Sequence, residues 1–518
     1  MKRTITIFLA TAIITGTMAQ LSRGNEYYQP KVSYYYYLMG LVHQREGKLG
    51  QSLDELQAAL QLDPEATAIY RELILAYLSA GNTNQSVRLA DRLKNITNTT
   101  ANNLFLGSFY SLIKDTNTAI DCYETVLKKE PDNKEAIMFL AFLYSSINTQ
   151  KSINYWKKYL SLETESAEAY YQLALQLIKL DRNNEAIDML IKSVNIDKEN
   201  IITRTALAQL YEYEKEYLNS AKEYEFLVSA DTGNPSLSLH TGVLYFNGAD
   251  LTNAEKHFQY TLGISPDDSS ALLWMGLIKE QQKDWHAAIK YIENSMKLNP
   301  TVFGYIRLSL YYTQLQKPGI VIKKLLTALK ISPDNYELHL MLGLAYMDMK
   351  KYAQAEKYLL QTIKLNPDYD ETYYYIGTMY DTQKKYDKSE IYFKKLLELD
   401  PKNATALNYL GYLMADRNIN LDEAEKLIKQ ALEIEPENPA YLDSLGWVYY
   451  RKGNTNSAEE LITKASNKIE DPVLYDHLGD IKQTLNKTGE AIENYKKALK
   501  LDKRNPSIKN KLKKLVKK

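Results

Sequence analysis

The stretch DETYYYIGTMYDTQKKYDKSEIYFKKLLELDPKN, Asp370 to Asn403, decides the fold. Counted from Asp370, Tyr373, Ile376, Gly377 and Tyr380 stand at positions 4, 7, 8 and 11, three or four residues apart. That spacing puts them on one face of a helix. Ser389 and Phe393, at positions 20 and 24, begin a second set of the same kind. Pro401 at position 32 follows an aspartate, and its ring bars the second helix from continuing. The stretch therefore reads as two short amphipathic helices, and one such pair cannot bury both of its faces alone.

Working outward, the same pattern recurs along the chain. Gly343, Gly377 and Gly411 fall 34 residues apart, and Gly40, Gly107, Gly242, Gly276, Gly446 and Gly479 keep the same frame. Pro64, Pro131, Pro266, Pro300, Pro333, Pro367, Pro401 and Pro436 each follow a small residue of that column by 24 or 25 residues. Ala119, Ala186, Ala254, Ala288, Ala355 and Ala491 take position 20. A small residue at 8 and another at 20 let two helix axes approach, and larger side chains at 11 and 24 fill the space beside them. From Ser33 to Asn505 there is room for fourteen such units.

The columns resemble the tetratricopeptide repeat, with its W-x2-L-G-x2-Y, A-x3-F and P signature over 34 residues. The resemblance implies an all-α, right-handed superhelical solenoid of about fourteen helix-turn-helix units. Residues 33–234 hold units one to six, which diverge more from the pattern, and residues 235–505 hold units seven to fourteen. The second unit has Ile74 at position 8 and no proline, the fourth is one residue short, and the sixth is read with an inserted residue before Ala221. Residues 506–518, PSIKNKLKKLVKK, continue helical spacing through Ile508, Leu512 and Leu515 and read as a basic cap helix, which either keeps the last unit soluble or meets an anionic membrane or partner.

The N-terminus begins Met1-Lys2-Arg3, continues with an apolar run from Ile5 to Gly16 and ends in Thr17-Met18-Ala19. This is the plan of a secretory signal peptide spanning 1–19, followed by a lead-in over 20–32. The run is too short to span a bilayer comfortably, and no other segment approaches the length required. With no cysteine at the cleavage point, a lipoprotein is not expected. The expectation is export to the periplasm or outside a bacterial cell, the alternatives being an uncleaved anchor or a cytoplasmic protein.

Lysine plus arginine equal aspartate plus glutamate at 64 each, so the whole-chain charge gives no reason to expect nucleic acid as a partner. The single cysteine, Cys122, excludes an intramolecular disulfide and a cysteine-based zinc cluster. Tyrosine is abundant at 43 residues, alongside the lysine, asparagine and isoleucine that an AT-rich genome favours. Clusters such as Tyr34 to Tyr37 could still form aromatic platforms for peptide or sugar.

The last units hold an acid, a hydroxyl and a histidine: Asp443, Ser444, Asp476, His477 and Asp480. Adjacent residues on a helix point about 100° apart, so Asp443 and Ser444 do not converge. No strand or nucleophile elbow is present to mount a hydrolase site, and one histidine with helical carboxylates makes a poor metal site. The reading is therefore of a protein that binds, with no enzyme activity, metal or cofactor.

In the family the first helix of each unit lines a concave groove, largely through positions 2, 5, 9, 12 and 13. The resemblance assigns that role to Asn408, Tyr412 and Asp416 in unit twelve, to Asp443, Trp447, Tyr450 and Arg451 in unit thirteen, and to Asp476 and Asp480 in unit fourteen. Aromatic surface flanked by acids suits a peptide or a basic segment of a partner; the alternative is that Trp447 and Tyr450 pack between neighbouring helices. The C-terminal block is also similar to those of bacterial envelope-associated repeat proteins. The expected function is an exported scaffold holding other proteins or envelope components, the alternative a polysaccharide- or peptidoglycan-associated adaptor using groove aromatics.

Overall fold

The computed structural model describes residues 29–516, so the signal peptide read at 1–19, residues 20–28 of the lead-in and the last two lysines lie outside the described residues. Among the described residues all regular structure is α-helical, in twenty-nine helices, with no strand. The first helix, Gln29–Arg45, begins inside the stretch expected to be lead-in. The chain divides into two compact bodies, one up to Ala254 and one from Glu255 onward. Within each body, a first helix packs on the second helix of its own unit, and a second helix on the first helix of the next.

Three columns of the repeat explain why the helices start and stop where they do. Asparagine or aspartate stands just before most first helices, and its side chain accepts from a backbone N–H of the first turn, as Asn133, Asn200, Asn335 and Asn403 do. This cap satisfies a donor that the helix leaves open. Between the two helices, position 15 takes a left-handed backbone in every unit but the fourth, from Gly47 and Gly81 through Lys114 and Lys384 to Gly453 and Asn486. The fourth unit is the one short by a residue: its first helix, Lys134–Tyr144, is only 11 residues long, and Asn148 enters the second helix from an extended conformation.

The third column is position 20. Where serine replaces alanine there, its hydroxyl donates to the carbonyl of position 8 in the same unit: Ser86 to Ile74, Ser220 to Ala208 and Ser389 to Gly377, at 2.8–2.9 Å. In these three units the polar atom enters the tightest helix contact satisfied, whereas the Ser52 hydroxyl at the same position of unit one is buried without a partner among the described residues. Ser220 also corrects the sequence reading of unit six. Its second helix, Tyr217–Ala230, starts at the ordinary place, so there is no inserted residue, and Ser220 rather than Ala221 occupies the column.

The tyrosine column at position 11 crosses between units. Tyr110, Tyr144, Tyr245 and Tyr380 donate to Asp91, Glu124, Glu225 and Glu356, each a carboxylate on the second helix of the preceding unit, at 2.6–3.0 Å. These tyrosines therefore join one unit to the next. Cys122 is packed in the core beside Tyr110, and burial pushes its thiol up to about 11.

Position 8 is where the packing is least forgiving. A Cβ on Gly411 would lie 2.8 Å from the Ala424 carbonyl oxygen and 2.5 Å from Ile428. Units four, five and six hold Ala141, Ala174 and Ala208 at that place, so the glycine is required by the local helix separation in unit twelve and not by the repeat as such. Gly411→Ala should cost about 1–3 kcal/mol through overpacking, read as a lower urea midpoint; an unchanged midpoint would show that the two helices separate freely.

Candidate functional site on the first helices of the last units

The residues expected to line the groove of units twelve to fourteen lie on the helices Ala404–Asp416, Pro439–Arg451 and Pro472–Thr484. The caps Asn403, Asn438 and Asp471 fix where each helix begins, and Pro439 and Pro472 at the first turn suit it because no N–H is needed there. The structure brings most of the expected residues together, and it engages most of them with one another.

Asp443 and His477 form a buried pair, the imidazole Nδ1 lying 2.9 and 3.1 Å from the two carboxylate oxygens. Trp447 stacks on that imidazole with ring centres 4.0 Å apart and planes 13° apart, and on Tyr450 at 5.0 Å. Trp447 is only 7% exposed and packs with Ala415, Ile428 and Val448. Its indole Nε1 and the Asn408 amide oxygen are buried without a hydrogen-bond partner among the described residues. Tyr412 lies 6.3 Å from the imidazole, and burial, then the carboxylates of Asp416 and Asp443, raises its phenol above the ordinary tyrosine range.

Arg451 does not point into open groove. Its guanidinium donates to the carbonyls of Ala415 and Asp416 at 3.1 and 3.0 Å, and so closes the C-terminal end of the first helix of unit twelve. Unsatisfied carbonyls there carry partial negative charge, which a guanidinium offsets. The Tyr450 hydroxyl reaches Thr484 in the next unit at 3.0 Å.

Asp476 and Asp480, expected to face a basic partner, hold a lysine of this chain. Lys511, on the last helix Pro506–Val516, lies 2.9 Å from Asp476 and 2.7 Å from Asp480. The Tyr495 phenol also donates to Asp480, at 2.6 Å. Burial raises Asp476 despite the lysine, and in Lys511 the two carboxylates outweigh burial and raise the ammonium. Of the nine residues, Asp416 alone has a fully exposed side chain.

The hydroxyl and the histidine do not form a nucleophile and base. Ser444 is buried and donates to the Ala440 carbonyl of its own helix at 2.9 Å. The partner of His477 is neither Asp476 nor Asp480 but Asp443, 34 residues back. That separation of one period was the signal available in the sequence: position 6 of unit fourteen lies against the first helix of the unit before it. Lys511 repeats the relation, standing five residues after Pro506 as His477 stands five after Pro472.

Position 9 separates these units from others. In units twelve to fourteen it holds Tyr412, Trp447 and Asp480, which are partly or wholly covered. In units two and four of the first body it holds Leu75 and Phe142, exposed at 37% and 38%, while Leu41, Leu175 and Val243 at the same position are half-buried. Tyr34 and Ile202 at position 2, and Leu112 and Tyr213 at position 13, are open there too. In the second body, Phe303 and Leu310 of unit nine are likewise exposed.

Comparison with known proteins agrees with the repeat geometry. Family profiles described as "Tetratricopeptide repeat" match residues 10–142, 167–200, 340–404 and 473–505. A TPR repeat-containing protein of Methanocaldococcus jannaschii is 21% identical over 337 residues, 59% of each chain. Anaphase-promoting complex subunit CDC16 of Saccharomyces cerevisiae is 24% identical over 44% of this chain and 28% of its own length. The type IV pilus assembly protein PilF of Pseudomonas aeruginosa is 28% identical over 26% of this chain and 54% of its own. The chain thus spans less than two thirds of the curated relatives it matches. Among solved structures, a tetratricopeptide repeat protein from Parabacteroides merdae aligns at a TM-score of 0.41 and 20% identity, over 48% of this chain and 98% of that one.

Proposed function

Since the chain belongs to the tetratricopeptide repeat family, whose fold supports protein–protein interaction, we propose that it is a non-enzymatic scaffold exported to the bacterial envelope, holding segments of other proteins against its first helices. The observation that carries this reading is the contrast at position 9. Leu75 and Phe142 are apolar and open to solvent, while Tyr412, Trp447 and Asp480 are engaged within the fold. Apolar side chains at a position that lines the groove in this family favour a partner that brings apolar anchors of its own. The partner face accordingly lies where position 9 is apolar and open, in units two and four of the first body and separately in unit nine of the second, and not in units twelve to fourteen. The basic leader and apolar run at the N-terminus support export.

Capture by crosslinking in cells tests this reading. Leu75→Asp combined with Phe142→Asp should weaken capture at least tenfold, about 1.4 kcal/mol or more, compared at a temperature where melting shows the variant folded, since each side chain is more than half covered and Phe142 meets Trp156 edge-on at 4.8 Å. Cell fractionation should find the protein in the envelope with Gln20 at its N-terminus. Undiminished capture by the folded variant would overturn the assignment of the face, and a cytoplasmic chain retaining Met1 would overturn export. Retention on glycan arrays by the wild-type chain, without protein capture, would favour the polysaccharide adaptor.

A further inference from the structure

The charge of this chain is balanced overall but not along its length. Residues 496–518 hold eleven lysines and arginines and a single acid, Asp502, so the rest of the chain carries a matching excess of acid. Of the described cations in that stretch, Lys497 pairs with Glu493 and Lys511 with Asp476 and Asp480. Lys503, Arg504, Lys509, Lys513 and Lys514 are exposed and make no ion pair among the described residues.

The helix Pro506–Val516 is fixed in place by its other side. Ile508 is 2% exposed, Leu512 and Leu515 pack with Tyr475, Tyr495 and Leu499, and Lys511 is seated between two carboxylates. Ile508, Leu512 and Leu515 are therefore engaged in docking, and apart from Val516 at its end the helix presents mainly ammonium groups to solvent. No acid stands in its first turn, so the cations are not neutralised locally.

We propose that this C-terminal basic face binds the anionic surface of a lipid bilayer, by adsorption and not by insertion. The kind of cation selects this occupant. Ten of the eleven are lysine, a strongly hydrated point charge suited to diffuse attraction, and only Arg504 offers the planar fork used for fixed recognition of phosphate or carboxylate. No aromatic residue lies between Lys496 and Lys518, so the stacking that holds single-stranded nucleic acid is absent from the stretch. A specific protein interface needs central apolar anchors, and here Ile508, Leu512 and Leu515 face inward. A field of lysines near an anionic leaflet is attracted without any of these, by about fivefold in affinity per cation.

The test is sedimentation of the full chain with phosphatidylcholine vesicles, with and without phosphatidylglycerol. The triple variant Lys509→Glu, Lys513→Glu, Lys514→Glu leaves Lys511 and the docked face untouched, so its melting should match the wild type. The wild-type chain should bind the anionic vesicles alone and release as salt rises, and the variant should bind at least about a hundredfold more weakly. Equal binding by the folded variant, or no binding to anionic vesicles, would overturn the proposal. Binding to duplex DNA or to polyglutamate but not to vesicles would overturn it as well, and would reassign the face to another polyanion.

Discussion

Trp447→Ala is expected to cost about 3–5 kcal/mol of stability and to fray the units beyond it, the range for emptying a buried tryptophan site. The side chain is 7% exposed, fills space between Ala415, Ile428 and Val448, and stacks on the imidazole that pairs with Asp443. Its removal both opens a cavity and uncovers the buried Asp443–His477 hydrogen bond that joins two units. Repeat arrays transmit stability between neighbours, so the loss should appear as early melting of the C-terminal units ahead of the rest. Hydrogen exchange read by mass spectrometry would locate it, and wild-type protection across Pro472–Thr484 in the variant would show that Trp447 is an open side chain after all. Arg451→Ala should cost less, because it removes hydrogen bonds to two helix-terminal carbonyls that water can replace.

The second large effect is alkaline unfolding. Burial first, and then the neighbouring carboxylate, holds the phenols of Tyr110, Tyr245, Tyr311 and Tyr380 above the ordinary tyrosine range and pushes Tyr144 up to about 12. Each is a proton donor to an acid, so the folded chain keeps protons that the unfolded chain releases near pH 10. A folded-state value raised above the unfolded one gives stability that is fully present below about pH 10 and is lost as pH climbs toward the folded value. Each phenol contributes at most about 1.4 kcal/mol per pH unit. Several acting together rival the roughly 5–15 kcal/mol by which ordinary proteins are stable. The melting temperature should hold level from neutral pH to about pH 9 and fall steeply between about pH 10 and 12. Tyr380→Phe should lower stability at neutral pH and flatten that fall. Phenols ionising near pH 10 in a chain that stays folded would contradict it.

The fold was legible from a few columns because each has one physical job. The glycine column marks close helix approach, the proline column marks the end of a unit, and their common period leaves little choice of architecture. What the columns could not show was which residues two units share. Asp443 and His477 belong to different units, and Asp476 is answered by Lys511 from beyond the last complete unit. Reading one unit at a time, these acids look free to meet a partner. Placed against the neighbouring first helix, they are already met. Similarly, Ser220 looked like a residue out of register because alanine was the expected occupant, although its hydroxyl is satisfied by the Ala208 carbonyl. Leu75 and Phe142 were passed over because an apolar residue in an amphipathic helix is ordinarily assigned to the core, and only solvent exposure tells the two cases apart.

A photo-reactive phenylalanine analogue placed at Phe142, and in a separate chain at Asp416, would form covalent adducts in cells with whatever lies against each position. Asp416 is exposed, and at position 142 the analogue keeps the aromatic ring that meets Trp156 edge-on at 4.8 Å, with melting of both chains read beside the adducts. The expected result is a discrete protein adduct from position 142 and none from position 416. An adduct from position 416 with none from position 142 would contradict the account and return the binding site to units twelve to fourteen.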